Sequence, residues 1–122
     1  MKKILLVDDS STIREEVSKS ILSQNKEVEL LEAENGVVGL KQITEHPDVA
    51  LIFLDVNMPE MDGITMLKRL KSDHDMSNLN VVMLTTEASP DLKTTAKENG
   101  ARAWLLKPFN DEKIKKVLDK LL

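Results

Sequence analysis

The chain has 122 residues, a length that suits one domain spanning residues 1–122, and it contains no cysteine, which excludes disulfide frameworks, cysteine-ligated zinc and thiol catalysis. Its 17 Lys and Arg against 21 Asp and Glu give a formal charge of −4, so nucleic acid is repelled on average and no nucleic-acid partner is expected. Lys2 and Lys3 precede an apolar stretch that stops at Asp8, well short of a secretory signal, and a cytoplasmic location with no membrane contact is expected.

Short apolar runs alternate with longer segments of helical period, the pattern of a βα-repeated fold. Ile4 to Val7 reads as a first strand, closed by the paired acids Asp8 and Asp9. Ser10, Ser11 and Thr12 offer capping oxygens to a first helix. Thr12 and Glu15 stand at capping-box spacing, and Ile13, Val17 and Ile21 form its apolar stripe. Residues 28–33 make a second strand. Asn35-Gly36 then breaks the chain before a short helix whose face is Val37, Leu40 and Ile43 and which ends ahead of Pro47. The third strand, residues 49–54, is continuously apolar, as suits a strand covered on both faces, and ends at Asp55. Pro59 and Asp62-Gly63 lead into a third helix carrying Ile64, Leu67 and Leu70 on one side.

Residues 81–84 read as the fourth strand. Ser89-Pro90 starts and Asn99-Gly100 stops a fourth helix on which only Leu92 and Ala96 are clearly apolar, so it is lightly anchored. The fifth strand covers about 103–106. Asn110 caps a last helix with Ile114, Val117, Leu118 and Leu121 inside and Lys113, Lys115, Lys116 and Lys120 outside. His46 and His74 have no partner in view and read as exposed loop residues.

Parallel strands deliver their C-terminal ends to one side, so Asp8, Asp9 and Asp55 converge on one rim with Thr85 and Lys107, which follow the fourth and fifth strands. Taken alone, Asp8 and Asp9 would only favour the start of the first helix through its dipole. Three gathered carboxylates need more. At about 4 Å and an effective dielectric of ~20 each pair repels by roughly 4 kcal/mol, so a cation, a raised pKa or a basic side chain must offset the crowding. Hard oxygen ligands without histidine or sulfur favour Mg²⁺. A carboxylate beside such an ion, with a lysine opposite, suits phosphoryl transfer, with Asp55 as nucleophile.

The strings VDDSSTIR, LDVNMPEMDG, MLTTEA and LLKPF, in that order and spacing, resemble the receiver domain of two-component response regulators, most closely its stand-alone chemotaxis type. The resemblance implies a flavodoxin-like α/β fold: (βα)5, a doubly wound five-stranded parallel sheet in the order 2-1-3-4-5, an order that comes with the family and is not read from these residues. It implies that Asp55 accepts a phosphoryl group from the phosphohistidine of a histidine kinase. Asp9, Asp55 and the backbone carbonyl of Asn57 match direct Mg²⁺ ligands, with Asp8 acting through water. Lys107 matches the phosphate-pairing lysine, its bond to Pro108 is expected to be cis, and Thr85 matches the switch hydroxyl. Asn57 and Glu87 match positions that tune hydrolysis. Trp104 stands where the family usually carries Tyr or Phe as a switching ring, and Thr86 stands where a small Ala or Gly is common.

The resemblance makes the chain a signalling switch rather than an enzyme on an external substrate, and favours chemotaxis over a phosphorelay intermediate. A non-phosphorylated interaction module of the same fold is expected to have lost an acid or the lysine, and none is lost. A hydrolase of the haloacid-dehalogenase type needs an acid two residues after the nucleophile, where Asn57 stands. Flavin phosphate would be repelled by Asp8 and Asp9. No effector domain is expected beyond Leu122, so output is expected through a downstream protein that contacts the fourth helix, fifth strand and last helix beside Trp104. The protein is expected to be a monomer when unphosphorylated.

Overall fold

Five six-residue segments, each built on one of the apolar runs, become strands β1 (Lys2–Val7), β2 (Val28–Ala33), β3 (Val49–Leu54), β4 (Asn80–Thr85) and β5 (Ala101–Leu106) in the computed structural model, which describes residues 1–122. They form one parallel sheet in the order β2-β1-β3-β4-β5. The chain therefore turns back after β2, and the crevice opened by that reversal lies at the C-terminal ends of β1 and β3.

Period 2 along the strands sorts side chains to the two faces. Leu5, Val7, Ile52, Leu54, Val81 and Met83 pack with α2 (Gly36–Glu45), α3 (Gly63–Asp73) and α4 (Pro90–Glu98). Ile4, Leu6, Leu51, Phe53, Val82 and Leu84 pack with α1 (Ser11–Gln24) and α5 (Asp111–Leu121). Because β1, β3 and β4 are covered twice, residues 4–7, 49–54 and 81–84 are apolar at every position. On α4 only Ala96 is fully buried, in keeping with its sparse apolar content, and Lys71 Nζ of α3 donates to the Glu98 carbonyl at 2.9 Å to hold its last turn.

Each helix begins on a side-chain oxygen that accepts from a backbone N–H three residues on: Ser10 from Ile13, Asn35 from Val38, Asp62 from Thr65, Ser89 from Leu92 and Asn110 from Lys113. The expected Thr12–Glu15 capping box is not used. Ser10 already caps the helix, which leaves Thr12 inside the first turn. The expected face of α2 is also rotated. With Asn35 as cap, Gly36, Gly39 and Ile43 point inward while Val37 is 52% exposed, because glycine backbone rather than a valine side chain meets β1 and α3. His46 is not a bare loop residue: it is half-buried at the end of α2, with Nδ1 3.2 Å from Lys3 Nζ. No helix is long and apolar enough to cross a membrane.

Candidate functional site

The sheet ladder carries the acids one residue past the strands. The Asp8 N–H donates to the Ala33 carbonyl at 3.1 Å, the Asp55 N–H to the Val7 carbonyl at 2.9 Å and the Lys107 N–H to the Thr85 carbonyl at 2.9 Å. These bonds fix the backbone from which each side chain projects, so the rim is rigid although it lies outside the strands. Carboxylate oxygens of Asp8, Asp9 and Asp55 all lie within 4.8 Å of one another. Asp8 and Asp55 are buried and Asp9 is exposed.

Lys107 bridges the two buried acids. Its Nζ donates to Asp8 Oδ2 at 2.7 Å and to Asp55 Oδ2 at 3.1 Å. Asp8 Oδ1 accepts from the Ser10 N–H at 2.9 Å, and Asp55 Oδ1 accepts from the Val56 N–H at 2.7 Å. Burial pushes the Asp8 carboxyl above its ordinary range, with the nearby Asp55 charge adding to the effect, and the Lys107 and Ser10 bonds recover only part of it. Burial also acts to lower the Lys107 pKa, but its bond to Asp8 and the charge of Asp55 outweigh that and raise it, so the ammonium is secured.

Three carboxylates against one ammonium leave two uncompensated negative charges at the rim. A pair at 4.8 Å and an effective dielectric near 20 repels by about 3–4 kcal/mol, which a divalent cation would relieve. Each of the three acids offers an oxygen, no histidine or cysteine belongs to the cluster, and Asp9 accepts no protein hydrogen bond. This donor set fits a hard, oxygen-seeking divalent ion.

The remaining candidates meet on Glu87, in the turn between β4 and α4. Thr85, which has no exposed surface, accepts from the Glu87 N–H at 3.3 Å through Oγ1. The Trp104 indole N–H donates to the Glu87 carbonyl at 2.9 Å. Glu87 Oε1 accepts from Asn57 Nδ2 at 2.6 Å across the mouth of the site. Trp104 is half-buried against the α2–α3–α4 side of the core, and its N–H has the partner that an indole needs there. The Lys107–Pro108 bond is cis.

Two further residues build the site, and neither is singled out by the sequence reading. Arg14 lies within the string VDDSSTIR; its Nη1 donates to the Asp8 carbonyl and its Nε to Glu32 Oε1 at 2.8 Å, which ties α1 and β2 to the acidic turn. Gly63, read only as a helix lead-in, packs directly on Asp55: a Cβ there would lie 1.9 Å from the Asp55 carbonyl oxygen.

The family described as response regulator receiver domain matches residues 4–119. Among curated proteins, the chain is 35% identical over 120 residues to chemotaxis protein CheY1 of Helicobacter pylori, covering 98% of this chain and 96% of that one. Among solved structures it superposes on the chemotaxis response regulator CheY4 of Vibrio cholerae with a TM-score of 0.86 at 37% identity, over 100% of this chain and 99% of that one. It also resembles a chain of the CheX-CheY-BeF3-Mg²⁺ complex from Borrelia burgdorferi, with a TM-score of 0.85 at 25% identity, covering 96% and 86%.

Proposed function

This chain belongs to the response regulator receiver domain family, and from that we propose that residues 1–122 are one receiver domain in which Asp55 accepts a phosphoryl group from a histidine kinase and reports it to a protein partner. The observation that carries the reading is the Lys107 ammonium held 2.7 Å from Asp8 and 3.1 Å from Asp55 beside a third carboxylate. In the transfer an Asp55 carboxylate oxygen attacks phosphorus, the bond from phosphorus to the donor imidazole breaks, and the leaving imidazole takes up a proton. Asp8, Asp9, Asp55 and the Asn57 carbonyl are the residues that would hold Mg²⁺. Bound there, the ion would supply charge neutralisation to the transferring oxygens. Lys107, bonded to both Asp8 and Asp55, is the cation at hand to pair with those oxygens.

Phosphorylation adds nearly one negative charge at Asp55 near pH 7, which attracts donors. Thr85 is the hydroxyl at hand. When it turns toward the phosphoryl oxygens it leaves the Glu87 N–H, and the strain passes through Glu87 to Trp104, whose indole hangs on the Glu87 carbonyl. Asn57 and Glu87, bonded across the entrance, limit the approach of hydrolytic water. Output runs through the face of α4, β5 and α5 to a downstream protein. The CheX complex of the Borrelia relative and the chemotaxis names of the curated relatives support a chemotaxis setting.

The single tryptophan supplies the test. Fluorescence of the chain is expected to change on adding Mg²⁺ and again on adding acetyl phosphate, the second change being absent in Asp55→Asn. A second change of full size in Asp55→Asn would overturn the reading.

A further inference from the structure

Arg14 is the fourth residue of α1, close to the positive end of the helix dipole, where a cation is disfavoured, and the first turn carries no acid to offset it. Its side chain is nevertheless only 16% exposed, and its guanidinium is used twice: Nε donates to Glu32 Oε1 at 2.8 Å and Nη1 donates to the Asp8 carbonyl. Glu32 lies on the edge strand β2, beside Leu6 in the ladder, and the next residue, Ala33, accepts the Asp8 N–H at 3.1 Å. The end of β2 therefore holds Asp8 on both sides, at its N–H through the Ala33 carbonyl and at its C=O through Glu32 and Arg14. That carbonyl belongs to the rigid peptide plane shared with Asp9, so fixing it fixes the plane from which Asp9 projects. Asp9 needs such a hold. Asp8 Oδ1 is kept in place by the Ser10 N–H and Asp55 Oδ1 by the Val56 N–H, whereas the Asp9 carboxylate is exposed and accepts no hydrogen bond from the protein.

We propose, resting on the Mg²⁺ reading of the rim, that Arg14 braced by Glu32 is a positioning residue for the metal: by holding the Asp8–Asp9 peptide it sets where the Asp9 carboxylate stands, and so favours Mg²⁺, which demands strict geometry, over Ca²⁺, which tolerates distortion. Mg²⁺ needs near-octahedral oxygens at about 2.0–2.1 Å, while Ca²⁺ accepts about six to eight at roughly 2.3–2.6 Å in looser arrangements. A displaced carboxylate therefore costs the smaller ion more. Charge alone argues for the opposite sign, because a guanidinium beside three acids repels any cation, and its removal would tighten Mg²⁺ and Ca²⁺ together. Glu32 pairs with the guanidinium and offsets that repulsion, which leaves geometry as the larger effect. The hold also depends on arginine as such, since a lysine has one point of charge and cannot reach the Glu32 carboxylate and the Asp8 carbonyl with a fixed fork.

The test is isothermal titration calorimetry of the full chain, without phosphodonor, giving Kd for Mg²⁺ and for Ca²⁺ in the parent, Arg14→Lys and Arg14→Met. Lysine keeps the charge without the fork, and methionine keeps a similar apolar stem with neither. Both variants are expected to bind Mg²⁺ about tenfold more weakly, as is usual when a metal ligand loses its outer support, and Ca²⁺ less than about threefold more weakly. Glu32→Gln retains an oxygen that accepts from Nε and is expected to stay within about threefold of the parent for both ions. Circular dichroism establishes which variants are folded, and Arg14→Lys carries the test if Arg14→Met is not. Unchanged or tighter Mg²⁺ binding in a folded Arg14 variant overturns the proposal, and so does equal weakening of the two ions, the mark of a charge or general folding effect. A parent that binds neither ion overturns the metal reading together with the positioning role; a parent that binds Mg²⁺ no better than its Arg14 variants overturns the positioning role alone.

Discussion

Replacing Gly63 by Ala puts a methyl group 1.9 Å from the Asp55 carbonyl oxygen and 3.1 Å from the Val56 Cα. To reach ordinary contact near ~3.4 Å, the methyl and the carbonyl must part by about 1.5 Å. Both sides are pinned: the Gly63 N–H donates to the Val56 carbonyl at 2.8 Å, and the Asp55 N–H donates to the Val7 carbonyl at 2.9 Å. Forcing a group into packed backbone costs about 1–3 kcal/mol, and loosening one of these hydrogen bonds costs about 1 more, so a loss of roughly 3 kcal/mol is expected. For a chain of this size that lowers the midpoint of thermal unfolding by about 12 °C, read by far-UV circular dichroism. Gly39→Ala is the control. Its methyl would meet Met66 Cε and Sδ at 2.8 Å, the far end of a flexible side chain, and gains helix propensity, so it should stay within about 1 kcal/mol of the parent. Gly63→Ala melting within about 2 °C of the parent, or Gly39→Ala falling as far as Gly63→Ala, would refute the packing argument.

Lys107→Ala strips two nearly buried carboxylates of their counter-charge, the side chains being 7% and 8% exposed. In chelator, denaturant titration should find it about 3 kcal/mol less stable, with Mg²⁺ recovering more stability than it adds to the parent; equal stability of the two proteins would count against the charge accounting. The elevated pKa of Asp8 sets a pH dependence. Between the ordinary value of 3.8 and the raised one, the folded protein binds more protons than the unfolded chain, so this group's contribution to metal-free stability falls as pH rises through that window. Asp8→Asn should lack that component, and identical pH profiles for the two proteins would show that Asp8 is not its source.

The convergence of Asp8, Asp9, Asp55, Thr85 and Lys107 was legible because continuous apolar runs mark doubly covered strands, and a polar residue just past such a run has one place to go, whereas the strand order came only from the family resemblance. The helix starts at Ser89 and Asn110 were legible as a Ser-Pro start and an Asn cap, while Asn35-Gly36 and Asp62-Gly63 were legible only as breaks ahead of a helix and not as the caps they prove to be. What escaped the sequence is contact between distant segments. Gly63 and Gly39 carry no side chain to announce that they face Asp55 and Met66, and hydropathy favoured Val37 over the glycines that α2 turns inward. Arg14 reads as one more cation of α1 until its bonds to the Asp8 carbonyl and Glu32 are visible. The hub at Glu87 joins residues 57, 85 and 104, and no local pattern encodes that meeting.

The central claim is that the carboxylate bridged to Asp8 by Lys107 is the one that takes the phosphoryl group. Incubation with acetyl phosphate and Mg²⁺ followed by intact-mass and peptide mass spectrometry tests it most directly. The account predicts one added phosphoryl group, carried by the peptide that contains Asp55 and absent from Asp55→Asn; modification at undiminished level in that variant, or its location on Asp8 or Asp9, would contradict it.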